Sequence, residues 1–422
     1  MRIGIAGLGS GAVNALAANP GLRNHPRVAI TAAADVREEA RAAFTGRFGK
    51  PAFASVEQMC ASADIDAVYI LTPNSVHAEH AIIAAEHGKQ IIADKPMALS
   101  MADCDAMIHA AERNGVRLLV GHSQSLDSGI LMMRDIIRSG ELGRPTMIAS
   151  LYYSEWLYRP RSREELDPAS MEGGLTLRQG WVQLDTLRLL GGGMVRSIRG
   201  GTVVADPSRP VDGAYTAYLE FADGTPATAT FDAYGHFDSA ELTFGLGLYG
   251  RPRDREHNLG AHRQVRSFTG PDDEETRKNA GRFGGSRARY EQDPPLDRHQ
   301  FFGLTIVSCE RGAIRQTPDG VMIYGRDAWR EVKTPPRLYA EVELDIMVDA
   351  WTNDVPLASH DGRWGKATTE TALGLLASAR ERREMRMAHQ VPYADASIVT
   401  PTPESVERDA GAIGRSPPAG AA

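Results

Sequence analysis

Lysine 95 has the clearest capacity for chemistry in the sequence, because Asp94-Lys95-Pro96 sets an amine between a carboxylate and a ring-fixed backbone. An ammonium group ordinarily stays solvated, and it acts as an acid or base near neutral pH only where burial or neighbouring charge lowers its pKa. A solvated surface lysine is the plainer alternative. Four other groups have comparable potential: Gly7-Leu8-Gly9-Ser10-Gly11-Ala12, Asp35 with Arg37, Thr72-Pro73-Asn74 with His77, and Gly121-His122. The first is a G-x-G-x-x-A turn, in which glycines let the backbone approach a pyrophosphate and the following helix points free N–H groups at anionic oxygen. The same pattern also occurs as a bare glycine turn. Asp35 stands at the distance where a carboxylate meets the ribose hydroxyls of NAD, whereas Arg37 can hold the 2′-phosphate of NADP instead. The expectation is NAD, with NADP open.

The elements that must position these residues alternate. Stretches 2–6, 28–34, 66–71, 90–93 and 117–120 are apolar and β-rich, and between them lie helical patterns such as 76–87, closed by Gly88. Ser100 is a plausible N-cap with Asp103 three residues on, for a helix ending at Asn114-Gly115. Five strand-helix repeats before residue 125 predict an α/β fold with a doubly wound parallel sheet, whose ligands sit beyond the carboxyl ends of the strands. Each group named above directly follows a strand.

The rest of the chain reads as a second unit, as 422 residues would require. A helix from 127 to Ser139-Gly140 precedes a strand at 145–153. Trp156, Tyr158, Arg159 and Arg161 then interleave aromatic and basic side chains, a composition that clamps a flat anion or else forms a solvated loop. Alternating stretches over 197–235, broken by Ala222-Asp223-Gly224-Thr225, predict antiparallel strands with an Asp-Gly hairpin. Residues 250–291 are dense in Arg, Asp, Glu and Gly and read as an excursion on the surface or at a subunit contact. Strands at 305–309 and 321–324 and helices at 338–351 and 367–383 follow, and the tail from Ala394 is Pro-, Ala- and Gly-rich, as in disordered segments. With 42% hydrophobic residues and a net charge of -7, nothing suggests a nucleic-acid face. Neither a leader nor a membrane segment is expected, and the cytoplasm is the default compartment. Cys60, Cys104 and Cys309 are far apart and odd in number, which predicts buried thiols and no metal site.

Gly7 to Ala12, Thr72-Pro73-Asn74 with His77, Gly88-Lys89-Gln90 and Asp94-Lys95-Pro96 together resemble the glucose-fructose oxidoreductase, inositol dehydrogenase and MocA (Gfo/Idh/MocA) family. The resemblance implies a Rossmann domain over residues 1–125 and a second α/β domain with an open, mostly antiparallel sheet over 126–393, for substrate and oligomerisation, leaving 394–422 as tail. It also implies a homo-oligomer, dimer or tetramer, and a lysine that touches both nicotinamide and substrate. Ser-Gly-Glu-Leu-Gly-Arg at 139–144, Leu-Tyr-Arg-Pro-Arg at 157–161, Phe-Gly-Leu-Thr at 302–305 and Asp-Gly-Arg-Trp-Gly-Lys at 361–366 resemble the phthalate 4,5-cis-dihydrodiol dehydrogenase branch. That branch oxidises a carboxylate-bearing cyclic dihydrodiol to a catechol.

One stretch departs from the family pattern of Asp or Asn, His four residues later, and Asp three beyond that. After Gly173-Gly174 the chain has Arg178 at the first position and Val182 at the histidine, and it keeps Asp185. At 3.6 residues per turn these three share a helical face. Valine has neither donor nor lone pair. The expected machinery is therefore Lys95 with His122 and Asp185, and a substrate pocket of Trp156, Tyr158, Arg159, Arg161, Arg178, Gln179, Trp181 and Val182. Arg178 would bind a carboxylate. Two alternatives stay open: an eliminase or ene-reductase on the same scaffold, and a non-catalytic dinucleotide-binding regulator like the yeast galactose repressor.

Overall fold

The structure is a computed structural model that describes residues 1–18, 20–291 and 294–393; the expectation for the tail at 394–422 lies outside the described residues. The first part of the chain runs β1 (Arg2–Ala6), α1 (Ser10–Val13), α2 (Pro20–Arg23), β2 (Ala29–Ala34), α3 (Glu38–Phe48), β3 (Ala52–Phe53), α4 (Val56–Ser62), β4 (Ala67–Ile70), α5 (His77–Glu86), β5 (Gln90–Ala93), α6 (Met101–Arg113) and β6 (Leu118–Val120). The strands are parallel, in the order β3-β2-β1-β4-β5-β6. Strands β4 and β5 are buried throughout, as helix-covered parallel strands must be, and this is why they read as unbroken apolar runs. From β1 the chain builds outward on one side and then restarts at β4 on the other. The crevice between the carboxyl ends of β1 and β4 is therefore the topological switch point.

The parallel sheet has one strand more than the sequence suggests, because β3 is only two residues long and shows no periodicity. Ser100 caps α6 as expected, its side chain accepting the N–H of Asp103.

The second part adds α7 (Ser128–Arg138), β7 (Pro145–Tyr153), α8 (Trp181–Leu190), β8 (Val195–Val203), β9 (Ala214–Phe221), β10 (Pro226–Asp232), α9 (Glu256–Arg266), α10 (Pro271–Ala280), β11 (Leu304–Cys309), β12 (Gly312–Thr317), β13 (Gly320–Gly325), β14 (Trp329–Lys333), α11 (Tyr339–Asn353), α12 (Gly362–Glu381) and β15 (Met385–Arg386). Its nine-stranded sheet is antiparallel except where β7 lies parallel to β10. The Asp-Gly hairpin joins β9 to β10, with Gly224 at φ +87°. Strands β12 and β14 escape the sequence reading. β14 forms the outer edge of the sheet, and three of its five residues are exposed, so it lacks a buried stripe.

Residues 250–291 contain α9 and α10, and the stretch after α10 docks on the first part of the chain. Phe283 is fully buried against Phe44 and Phe48 of α3, at ring distances of 6.1 and 6.2 Å. The segment reads as a surface excursion because its buried residues are few and partly polar, Asn258 and Glu274 among them. The C-terminal helices return to the first sheet. Val120 N–H donates to the carbonyl of His360 at 2.8 Å, and a Cβ on Gly365 would stand 2.5 Å from Val120. Cys60, Cys104 and Cys309 are free and buried. No helix among the described residues is long and apolar enough to cross a membrane.

Candidate active site

Strand β1 delivers the chain into Gly7, whose φ is +90° and where an added Cβ would meet the backbone of Leu71 at 2.9 Å. Around Gly9 and Gly11 an added Cβ would meet nothing within 4 Å, so this backbone is open to a ligand. The turn fits the pyrophosphate of a dinucleotide at the switch point. Its helix departs from the regular spacing: the single α-turn of α1 passes into a π-helical turn at Asn14–Ala18. Leu8 and Ala12 are fully buried behind the turn, while Ser10 is exposed.

Asp35 is already engaged. It accepts the N–H of Leu8 at 2.7 Å and the backbone N–H and Nε of Arg37 at 2.9 and 3.1 Å, and Arg37 Nη2 reaches the Leu8 carbonyl at 2.7 Å. His77 corrects an expectation. Fully buried, it lies 3.1 Å from the Pro96 carbonyl and 3.0 Å from that of Thr72, so it ties Thr72-Pro73-Asn74 to Asp94-Lys95-Pro96 from behind instead of meeting a cofactor. Asn74 keeps a buried Nδ2 without a partner among the described residues.

A cavity of about 110 Å³ lies beyond these strand ends, lined by Asn14, Lys95, His122 and Gln124 on one side and by Tyr152, Ser154, Trp156, Arg159 and Gln179 on the other. Lys95 Nζ donates to the carbonyl of Arg178 at 2.8 Å. Burial lowers its pKa to about 8, opposed by Asp94 and assisted by the charges of Arg178 and Arg159. The Lys95–Pro96 peptide is cis, and the Lys95 N–H donates to Asp94 Oδ1 at 2.7 Å.

His122 adopts left-handed backbone, φ +61°, and helix α11 holds it at two points. Its N–H donates to Glu343 Oε2 at 2.6 Å, and its Nε2 lies 3.0 Å from the hydroxyl of Tyr339, one turn earlier. Gly121 must be glycine, since a Cβ there would stand 2.3 Å from Glu343 Oε2. The Nδ1 of His122 lies 3.7 Å from Asp94 and has no hydrogen-bond partner among the described residues. Burial lowers the His122 pKa, which keeps the ring neutral. Fully buried Glu343 is raised to about 7 by burial, although the Tyr69 hydroxyl and the His122 N–H both donate to it.

The second half redistributes the expected substrate residues. A π-helical turn at Thr176–Gly180 leads into α8, and its larger number of residues per turn breaks the 3.6-residue arithmetic that grouped 178, 182 and 185. Arg178 turns away from the cavity, to Glu165 Oε1 at 2.6 Å and the Glu172 carbonyl at 3.0 Å. Trp181 and Val182 are fully buried, and the Trp181 indole donates to Thr369 at 3.1 Å. Asp185 is an internal anchor: fully buried, it accepts from Ser123, Ser125, Trp364 and Thr368 at 2.5–2.9 Å and lies 3.2 Å from His360 Nε2. These contacts, with His360 foremost, hold its carboxyl well below the usual range. Arg161 lies over the Trp156 ring, 3.8 Å from its centroid, and burial lowers its pKa to about 9. Tyr158 gives its hydroxyl to Asp206 at 2.9 Å. Of the expected pocket, Trp156, Arg159 and Gln179 line the cavity.

Tyr152, Ser154 and Gln124 line it as well, and the first two belong to no motif and stand out only by their place at the carboxyl end of β7. Ser154 Oγ and Gln124 Oε1, like His122 Nδ1, are buried without partners among the described residues. Three unpaired polar atoms in one cavity call for a polar ligand. No group of three His, Cys, Asp or Glu side chains suited to a metal occurs among the described residues.

Residues 1–122 match the family described as "Oxidoreductase family, NAD-binding Rossmann fold", and residues 130–245 match the GFO/IDH/MocA C-terminal domain. The chain is 31% identical over 378 residues, 89% of its length and 94% of the relative's, to 1-carboxy-3-chloro-3,4-dihydroxycyclohexa-1,5-diene dehydrogenase of Comamonas testosteroni. A solved chain from Bordetella bronchiseptica RB50, described as a candidate dehydrogenase, shares 35% identity at a TM-score of 0.84, over 92% of this chain and 99% of that one. An oxidoreductase from Agrobacterium radiobacter, solved with NAD+, L-tartaric acid and magnesium, shares the fold at a TM-score of 0.66 and 16% identity, over 92% of this chain and 98% of its own.

Proposed function

The chain belongs to the Gfo/Idh/MocA family of NAD(P)-dependent oxidoreductases, and from that premise we propose that it transfers hydride between the dinucleotide and a cyclic, carboxylate-bearing cis-diol or related aromatic-acid intermediate. The observation that carries this reading is Lys95, a lysine tuned to about 8 at the wall of a cavity that also presents the unpaired Nδ1 of His122. When bound, the nicotinamide accepts or returns the hydride. Oxidation of the diol also requires a base for the hydroxyl proton, and neutral Lys95 takes it. His122, with Nε2–H donated to Tyr339, keeps a lone pair on Nδ1 to relay that proton, and Asp94 faces the imidazolium so formed. This unit replaces the histidine lost at Val182.

Arg159, whose side chain is 45% exposed at the cavity, is the guanidinium we assign to the substrate carboxylate, and Trp156 and Tyr152 flank the ring. The Comamonas relative's name, with its carboxy group and cyclic diol, supports this class. In this reading residues 1–125 serve the dinucleotide and 126–393 the substrate and self-association as a dimer or tetramer.

The test is incubation of purified protein with NAD+ or NADP+ and a panel of carboxylated and neutral cyclic diols, followed at the nicotinamide absorbance. Reduction of cofactor with the carboxylated diols is expected. Substrate loss without net reduced cofactor would replace this reading with the eliminase, and no turnover of any diol would overturn it.

A further inference from the structure

The docked end of the 250–291 segment meets the first sheet at one particular place. Phe283 N–H donates to the Leu8 carbonyl at 3.2 Å, inside the glycine turn, on the same oxygen that Arg37 Nη2 reaches at 2.7 Å. Gly284, at φ +80°, packs so tightly on the start of α3 that a Cβ would stand 2.8 Å from the Glu39 carbonyl. Tyr290 fastens the far end: its ring lies 4.8 Å from Phe283, its carbonyl accepts Arg47 Nη2 at 2.7 Å, and its hydroxyl accepts the Gly284 N–H at 2.7 Å. The stretch from 281 to 290 is thus a strap from the second half, laid across the end of β2 where the adenosine ribose of a dinucleotide belongs.

Arg282 precedes the contact with Leu8. Its guanidinium is partly buried and has no hydrogen-bond or ion-pair partner among the described residues. Burial lowers its pKa, with Arg37 as the largest charged contribution in the same direction and Glu165, Asp35 and Glu275 opposing. Asp35 meanwhile accepts from Leu8 and Arg37, so its carboxylate is committed to Arg37, and Arg282 adds a second, unpaired guanidinium at the same turn. Such a pair suits a phosphate dianion.

We propose that Arg282, carried by the strap, joins Arg37 in binding the 2′-phosphate of the adenosine ribose, so that the second half of the chain determines how tightly NADP is held beside NAD. The proposal is independent of the substrate, because it concerns dinucleotide binding alone.

Calorimetric titration of the whole protein with NAD+, NADP+ and 2′,5′-ADP tests it. Arg282→Ala should weaken NADP+ and 2′,5′-ADP at least tenfold and NAD+ less than twofold, and Arg282→Lys should recover part of the loss. Unaltered NAD+ binding shows that the variant is folded. An equal loss for NAD+ and NADP+ would assign Arg282 to the pyrophosphate and overturn the proposal, as would no change in either.

Discussion

The two walls of the cavity are built differently. On the first-sheet wall, Lys95 and His122 sit just past the ends of β5 and β6, with their backbones gripped from behind by Asp94 and Glu343 and their polar tips left toward the cavity. On the facing wall, the polar groups around the start of α8 satisfy one another: Arg178 pairs with Glu165, and Asp185 collects hydroxyl and indole donors. The same residue types therefore do opposite work. Where a neighbour holds the main chain, the side chain can face the cavity, whereas the side chains of Arg178 and Asp185 are committed to partners outside it.

Truncating a cavity-facing group should damage turnover, and truncating an anchoring group should damage stability. The largest expected effect is on Lys95. Lys95→Ala should lower kcat/KM by ~10³-fold, about 4 kcal/mol, with dinucleotide affinity unchanged in calorimetry. The pH profile carries the sign. Oxidation should rise with pH until Lys95 is neutral, levelling above its pKa of about 8, and reduction should fall over the same range. A Lys95→Ala variant within a few-fold of the parent rate would move the chemistry to His122.

Asp185 should behave in the opposite way. Asp185→Ala leaves buried donors and His360 without their acceptor, costing ~3–5 kcal/mol in urea unfolding. Because its folded pKa is depressed, its contribution to stability is present above the ordinary carboxylate range and is lost as pH falls below about 4. Val182→His, in a fully buried position, should lose ~1–3 kcal/mol of stability and should not speed oxidation. A faster Val182→His enzyme would show that this wall reaches the substrate after all.

These contrasts also mark how far the sequence could be read. The position of the glycine turn, Lys95 and His122 at the crevice was legible because the residue after a parallel strand lies there whatever its helices do, and an apolar run of four residues is enough to find the strand. The face shared by Arg178, Val182 and Asp185 was not, because helical spacing holds only along an unbroken α-helix and the wider turn at Thr176–Gly180 is invisible in the residue types. Ser154 and Tyr152 carry no motif, and their place at the cavity follows from which strand ends beside β10. The strap was hidden for another reason: its fully buried anchor, Phe283, lies between half-buried Arg282 and the exposed Arg287 and Arg289.

Glu343 sharpens the comparison from the first-sheet side, since it is an anchor that can change charge. Its pKa of about 7 is above that of an unfolded glutamate, so the folded state keeps a proton that the unfolded chain releases between about pH 4.5 and 7. Stability from this group therefore falls across that window and stays low above it. Glu343→Gln, which can still accept the His122 N–H, should gain ~1–3 kcal/mol relative to the parent on going from pH 5 to pH 8 in urea unfolding. A constant difference across that range would show that Glu343 is ionised throughout.

The smallest expected effect separates two arginines that the sequence treated alike. Arg159 keeps its exposed guanidinium at the cavity while pairing with buried Glu155 at 3.1 Å, and Glu155 is also held by Arg253 and His257. Removing Arg159 therefore leaves Glu155 compensated, and the loss should fall on the ligand. Arg159→Ala should cost ~1 kcal/mol in kcat/KM, roughly fivefold, for a carboxylated diol and little for its neutral analogue, the modest size reflecting a solvent-accessible ion pair. Arg178→Ala should lower the unfolding free energy, because Glu165 loses a close partner, yet it should shift both substrates equally, because its side chain points away from the cavity. Measured on one substrate pair, the ratio of kcat/KM for charged over neutral diol should fall in Arg159→Ala and hold in Arg178→Ala. The reverse pattern would mean that substrate binding breaks the Arg178–Glu165 pair and recruits the facing wall.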